Sequence, residues 1–197
     1  MIPTPAIEHP AETELFAEAL TCDVVLPARF DPALRPLQPQ AAEALLLGLA
    51  VAEDVRSEDK DDHRNELPQT VQRMEAKLDL LVGLLGRLAR QREGALPLRP
   101  LRWSHRGLRL DLDAPVEVAN GTEGVAMIEP AGWLGDYIEL PASVLASIPG
   151  GTGTHHLWLR FGHLAPGLSE ALERHLFRMH RKQIAEARQA ALNAAGG

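Results

Sequence analysis

Residues 67–91, LPQTVQRMEAKLDLLVGLLGRLARQ, place apolar side chains in a strict seven-residue register. The a and d positions of this repeat are Leu67, Val71, Met74, Leu78, Leu81, Leu85 and Leu88. An isolated helix drifts away from such a repeat, because an ideal α-helix turns once in about 3.6 residues. A seam kept over this length predicts a coiled coil, in which the helix over 67–91 packs against copies of itself.

The composition of this seam bears on the number of helices. Leucine fills most of both the a and the d positions, whereas parallel dimers favour β-branched residues at a. Leu80, Val82 and Leu84 add apolar surface outside the seam, which a dimer would leave in water and a four-helix bundle would cover. We therefore predict a homotetramer, with a dimer as the alternative, and leave open whether the helices run parallel or antiparallel.

Length and composition limit the classes of protein. At 197 residues the chain can hold one domain and an appendage. The net charge of −7 argues against a nucleic-acid partner, which requires a basic surface. No apolar run reaches the ~18 residues of a membrane span, and Met1–Pro5 lacks the features of a secretory signal. Cys22 is the only cysteine, so neither a disulfide framework nor a thiolate zinc site is predicted. We expect a cytoplasmic protein.

The helical segment interrupts a second kind of sequence. Residues 1–20 are predicted to form an N-terminal tail with a short helix at Ala11–Ala19. Residues 36–97 are predicted to be a helical oligomerisation insertion, rich in alanine, leucine and charge. Residues 21–35 and 98–192 then form one β domain with a C-terminal helix, split by the insertion.

Short apolar runs bounded by turn residues indicate the strands of that domain. We predict strands at Cys22–Arg29, Gly107–Leu112, Val116–Ala119, Gly124–Glu129, Asp136–Leu140 and His156–Phe161. Pro27 suggests an edge position or a bulge, and Asn120-Gly121 is a strong tight-turn signal. A spacing of about ten residues between strands is typical of a small antiparallel barrel or sandwich.

The chain ends in a predicted helix from Ser169 to about Leu192. Its positions at helical spacing, Leu172, Leu176 and Met179, should pack against the β domain. The helix is modestly basic, with arginine and lysine outnumbering glutamate. It is therefore either an ordinary solvated face or a docking surface for an acidic partner.

The segment Ser104-His105-Arg106-Gly107 resembles part of a known signature. PilZ domains carry a D/N-x-S-x-x-G turn preceded by an R-x-x-x-R arm, and Ser104 and Gly107 match the S-x-x-G portion. The layout is also similar, because a strand carrying Leu-Pro precedes the turn and an Arg-Phe-x-x-Leu strand end leads into the last helix. With its heptad insertion the chain resembles the atypical PilZ group, whose inserted helix produces tetramers.

This resemblance implies an α+β fold, namely a small antiparallel PilZ-like β-barrel with a long inserted heptad-repeat helix and a C-terminal helix. It also implies a link to cyclic di-GMP, the bacterial second messenger that PilZ domains bind. Ser104 and Gly107 would form a vestigial nucleotide turn, and Arg102, Arg106 and Arg109 are the candidate basic contacts beside it.

Two departures from the signature weaken the expected nucleotide site. Arg102 stands where aspartate or asparagine is expected, and Arg29 and Arg35, six positions apart, do not make the R-x-x-x-R arm. Such an arm would pair with phosphates and read the guanine edge. We therefore expect no cofactor, and weak or absent binding of cyclic di-GMP by the standard mode.

Candidate catalytic and metal sites are poorly supported. Ser104 and His105 are neighbours, whose side chains diverge in extended backbone. The same applies to His155-His156, while His175 and His180 lie off one helical face. The glycine-rich stretch 150–153 lacks the lysine of a P-loop. We predict no catalytic residues and no metal site.

These observations favour a non-enzymatic regulatory or adaptor protein of cyclic di-GMP signalling, which oligomerises and acts on an unidentified protein partner. A role in motility or virulence is implied by the resemblance alone. The alternatives are a purely structural multimerisation protein and an atypical cyclic di-GMP receptor with a non-standard site.

Overall fold

Six antiparallel strands close into a barrel in the computed structural model, which describes residues 8–58 and 95–195. The strands are β1 (Cys22–Asp31), β2 (Leu98–Trp103), β3 (Gly107–Leu112), β4 (Glu123–Ile128), β5 (Ile138–Pro149) and β6 (His155–Phe161). Their order around the barrel is β1-β2-β3-β6-β5-β4. The predicted antiparallel barrel is confirmed. The heptad segment 67–91 lies outside the described residues, so its helix and seam stay predictions.

Three helices accompany the barrel in the described ranges. They are α1 (Pro10–Phe16), α2 (Pro39–Glu58) and α3 (Pro166–Ala195), and a short 3₁₀ turn covers Gly151–Gly153. None of the helices in these ranges is long and apolar enough to cross a bilayer. The predicted C-terminal helix is present, and it begins three residues earlier than Ser169, at Pro166.

The first strand joins the two ends of the sheet. Its residues 22–27 pair with β2 and its residues 28–31 pair with β4. Pro27 stands at the change of partner, where its carbonyl accepts from the Glu129 N–H at 2.9 Å. Proline has no N–H to donate, but the next residue, Ala28, donates its N–H to the Pro97 carbonyl at 3.0 Å, so the pairing continues past Pro27.

One strand was missed by the sequence analysis, and one predicted strand is not formed. β2 was not predicted, because arginine and proline alternate with its apolar residues and hide the strand pattern. Val116–Ala119 is not a strand, and the prediction there is wrong. Because β3 and β4 are not neighbours in the barrel, the chain must cross its end, and Val118 packs against the core from that crossing.

The core lies inside the barrel and beneath two helices. Along β5 the buried positions alternate, so one set of side chains points inward. Leu172 and Leu176 of α3 are buried in the same cluster and Met179 is partly buried against it, as predicted. From α2, Ala42 and Leu46 join them. The first helix of the predicted insertion therefore also packs on the β domain, while the domain limits remain predictions.

Candidate functional site

The β2–β3 turn carries the S-x-x-G spacing, and its residues contact the N-terminal helix α1. The Ser104 N–H donates to the Gly107 carbonyl at 2.9 Å, which closes the turn. The Ser104 hydroxyl donates to the Leu15 carbonyl of α1 at 2.8 Å and accepts from the Arg106 N–H at 3.1 Å. A Cβ at Gly107 would meet the Leu159 carbonyl and, at 2.9 Å, the Leu15 side chain. Ser104 therefore holds α1 by a hydrogen bond, and Gly107 leaves the space in which Leu15 and the Leu159 backbone lie.

The helix α1 packs closely on the strands. Its buried residues are Ala11, Glu12, Leu15 and Phe16, which share one helical face. His9 caps the helix by accepting the Ala11 N–H at 3.1 Å, and its ring stacks on Trp158 with centroids 4.9 Å apart. The short helix was predicted within the N-terminal tail, but its packing against the barrel was not.

A single carboxylate, that of Glu12, occupies the centre of this contact and is 7% exposed. Its Oε1 accepts from Arg102 Nη1 at 2.7 Å and from Arg109 Nη1 at 2.9 Å. Its Oε2 accepts from the indole Nε1 of Trp158 at 2.7 Å. Three donors from three strands thus converge on one acidic side chain, and charge-assisted bonds of this kind are about twice as strong as neutral ones.

Further carboxylates extend the network on both sides of Glu12. Arg102 Nε donates to Asp23 at 3.0 Å, and Arg109 Nε donates to Asp111 at 3.0 Å. Asp111 also contacts the His156 ring at 2.7 Å. Burial lowers the pKa of Arg102, but the hydrogen bonds to Asp23 and Glu12 outweigh it and raise that pKa above its ordinary value. The arginine is therefore held in its charged form within the protein.

The structure brings the three candidate arginines to one side of the barrel and engages each of them. Arg106 Nη1 donates to the backbone carbonyls of Glu14 and Ala17 at 3.3 Å and 3.1 Å. Arg109 is fully buried, and the Arg102 side chain is only 17% exposed. A phosphate could reach these guanidinium groups only by displacing the chain's own carboxylates or α1.

Arg29 and Arg35, which do not form the expected arm, are also engaged. Both guanidinium groups contact the Met127 sulfur, at 3.5 Å and 3.3 Å. Arg35 further pairs with Glu139 at 2.5 Å and with Asp31 at 3.4 Å. Arg35 is thus neutralised by two carboxylates of the same chain.

Three of the histidines considered as metal ligands, His155, His156 and His175, make contacts within the fold or are buried in it. His155 contacts the Ser147 hydroxyl at 2.7 Å, and His156 contacts Asp111. His175, a residue of α3, is fully buried with its ring against Trp103 of β2. Within residues 8–58 and 95–195, no group of three or more His, Cys, Asp or Glu side chains is arranged to hold a metal ion.

A pocket of about 570 Å³ lies beside the end of α1. Its walls are residues 18–20, His105 of the β2–β3 turn and the first half of α3. Phe177, which is 53% exposed, forms part of this wall. Glutamate and arginine both line this pocket, so its charge is mixed.

Sequence reasoning found the turn and the arginines but missed Glu12, Asp23, Asp111 and Trp158. For Glu12 a signal exists in the chain, because Glu12 shares a helical face with Leu15 and Phe16. A carboxylate placed on an apolar helical face indicates a buried cationic partner. The identity of that partner depends on the barrel and cannot be read locally.

Comparisons with known proteins agree with this architecture. A family model described as atypical PilZ domain, cyclic di-GMP receptor, matches residues 46–189. A pathogenic protein from Xanthomonas campestris, described as a new tetrameric PilZ domain self-assembled via an unusual helical bundle, is 50% identical. The match covers 89% of this chain and 96% of that one, with a TM-score of 0.76.

Two remoter structures are also similar. The inhibitor of motility MotI of Bacillus subtilis is 20% identical, over 45% of this chain and 43% of that one, with a TM-score of 0.37. The PilZ domain of YcgR from Escherichia coli, solved with cyclic di-GMP, is 19% identical, over 47% of this chain and 80% of that one, with a TM-score of 0.36. A comparison with curated proteins gives no match.

Proposed function

This chain belongs to the atypical PilZ domain family, and from that premise we propose that it is a non-enzymatic regulatory adaptor of cyclic di-GMP signalling. It assembles through residues 67–91 and acts by recruiting a protein partner in the cytoplasm. Its own binding of cyclic di-GMP by the standard mode is weak or absent. A role in motility or virulence is part of the same proposal.

The observation that carries this proposal is the engagement of the arginines around the signature turn. Arg102 and Arg109 share the Glu12 carboxylate, and each has a second acidic partner. Cyclic di-GMP brings two negative charges and would have to replace these acids without an R-x-x-x-R arm. Breaking a buried ion pair costs about 3–5 kcal/mol, which is a large fraction of the binding energy of a micromolar ligand.

Assembly into a tetramer is the second element of the proposal. The heptad register over 67–91 favours it. The Xanthomonas campestris protein, half of whose aligned residues are identical to this chain, is described as a tetramer formed via a helical bundle. Four copies of one weak contact raise the apparent affinity for a clustered partner by about 10²–10⁴, so the array would serve without a nucleotide site.

Isothermal titration with cyclic di-GMP tests the nucleotide part. We expect no heat of binding at micromolar protein. Sub-micromolar binding would overturn this part, and Arg102→Ala, Arg106→Ala and Arg109→Ala would then locate the site. The description of the matched family as cyclic di-GMP receptors favours this alternative, a receptor with a non-standard site.

A complementation experiment tests the adaptor part. Leu78→Glu with Leu81→Glu should break the seam, and circular dichroism should show that the β domain remains folded. We expect this variant to fail in a deletion strain that the wild-type protein restores. Full restoration by the monomer would mean that assembly is not the purpose of the protein. A functional tetramer with no recoverable partner would instead favour a purely structural role.

A further inference from the structure

The surface beneath α1 is shaped to receive a helix. We call it the α1 groove and define it by Arg102, Arg109, Ala146 and Trp158. Leu15 and Phe16 pack with Ala146 and Trp158 in one buried cluster. The Phe16 ring also lies 5.7 Å from the guanidinium of Arg102. The groove therefore offers two apolar positions and one cationic position to a single helical face.

The cationic position requires an acid from whatever lies in the groove. Arg102, Arg109 and Trp158 all donate to Glu12. If α1 left without a replacement, the fully buried Arg109 would lose this acceptor, at the cost that attends any broken buried ion pair. Any second helix in this place would therefore have to bring a carboxylate to the position of Glu12.

The helix α1 is itself held by the groove rather than by its own stability. It has 7 residues, and isolated helices shorter than about 12 residues are marginal in water. The chain leaves it through Glu18, whose φ of 57° lies in the left-handed region. A non-glycine residue there costs on the order of 1 kcal/mol, so the exit is mildly strained. Another helix with the same side-chain pattern can make the same side-chain contacts, but it must overcome the high effective concentration that its covalent link gives to α1.

We propose that the α1 groove is the surface that binds the protein partner, and that α1 occupies it in the absence of that partner. The partner supplies a helix with an acidic residue followed three and four positions later by large apolar residues, as in Glu12, Leu15 and Phe16. This inference rests on the proposed function, because it names the surface through which the adaptor acts. The partner helix takes the place of α1 and makes the same three hydrogen bonds.

Fluorescence anisotropy with the full-length protein tests the proposal. The probe is a labelled peptide of residues 8–20, EHPAETELFAEAL. The receptor is either the wild-type chain or a Leu15→Ala variant, in which the chain's own helix is weakened and the groove is unchanged. We expect the variant to bind the peptide at least about tenfold more tightly, because apparent affinity scales with the fraction of open grooves. A peptide carrying Glu12→Lys is the matched control and should bind at least about tenfold more weakly.

If the peptide does not bind, hydrogen exchange of the α1 amides shows whether α1 had left the groove. Failure to bind the peptide while these amides exchange freely would show that the open groove is not a helix receptor. Failure to bind while they stay protected, both in Leu15→Ala and in Phe16→Ala, would show that α1 is a fixed part of the fold. Either result overturns the proposal, and circular dichroism checks that the barrel is intact in both variants.

The outcome separates this inference from the proposed function. Peptide binding by a protein that also binds cyclic di-GMP tightly would support the groove and overturn the nucleotide part of the proposed function. Recruitment of a partner by a protein with an immovable α1 would do the reverse.

Discussion

The imidazole of His175 lies against the indole of Trp103, with ring centroids 5.7 Å apart and planes tilted by 56°. His175 belongs to α3 and Trp103 ends β2, and both side chains are fully buried. The contact places an ionisable ring at the interface between the C-terminal helix and the barrel. Stability should therefore depend on the charge state of this one histidine.

Acid should weaken the fold through His175. Burial, and then the charge of Arg178, lower the pKa of His175 to about 4, against the opposing effect of the Pro130 carbonyl. The unfolded chain takes up this proton below about pH 6.5, whereas the folded chain does so only below about pH 4. The stabilisation is complete above pH 6.5 and is lost as the pH falls towards 4, by about 2 kcal/mol at pH 5.

Urea titrations of the wild type and of His175→Leu at pH 7 and pH 5 measure this effect. The variant should lack that share of the pH dependence, and His180→Gln on the same helix should retain it. Protein concentration must be held constant, because assembly contributes to stability. An NMR titration in which His175 gains its proton near pH 6.5 would contradict the prediction.

Gly107→Ala should destabilise the protein. The added methyl group meets the Leu159 backbone carbonyl and the Leu15 side chain, and backbone cannot give way as a flexible side chain can. Overpacking of this kind costs at least about 1–3 kcal/mol, which thermal unfolding would detect. In Gly48→Ala nothing lies within 4 Å of the new Cβ, and the change within α2 should stabilise by up to about 1 kcal/mol. Equal effects of the two substitutions would refute the packing argument.

The thiol of Cys22 should be inert in the folded protein. Burial, and then the neighbouring charge of Asp23, raise its pKa to about 12, and its Sγ donates to the Leu176 carbonyl at 3.4 Å. Since the thiolate is the reactive form, Ellman's reagent should detect no thiol in buffer at pH 8. In denaturant it should detect one per chain, because Cys22 is the only cysteine. Rapid reaction without denaturant would show that α3 separates from β1.

Leu78→Glu with Leu81→Glu should dissociate the assembly. Each buried leucine that is lost costs about 2–5 kcal/mol, and the loss recurs in every subunit. Light scattering should give the mass of four chains for the wild type and smaller species for the variant. Gln72→Glu, outside the seam, should leave the mass unchanged. A wild-type mass of one or two chains would exclude the tetramer.

Local pattern was sufficient for much of the fold. Gly107–Leu112 was predicted at its observed bounds, because leucines alternate with polar residues between turn residues, a pattern that is typical of a strand. β5 was predicted only from Asp136 to Leu140, because Pro141 looks like a strand end. In the barrel Pro141 pairs opposite Val125, and the strand continues to Pro149.

The site was only half accessible from the sequence. The serine and glycine of the turn lie three positions apart and can be recognised together. The acid that neutralises Arg102 and Arg109 precedes them by 90 and 97 positions. Such long-range pairing follows from which strands become neighbours, and no local propensity encodes it.

The position of β1 has a consequence for how the chain folds. The strands β2 and β3, and then β4, β5 and β6, are joined by short connections, but β1 meets β2 only after the whole segment from Asp31 to Leu98 has been looped out. Contacts across such a distance form late, so closure of the barrel is expected to be the slow folding step. The entropy of closing a loop grows only logarithmically, by about 0.6 kcal/mol per doubling of its length. The predicted helical insertion can therefore gain or lose whole heptads over evolution while the barrel keeps nearly the same stability.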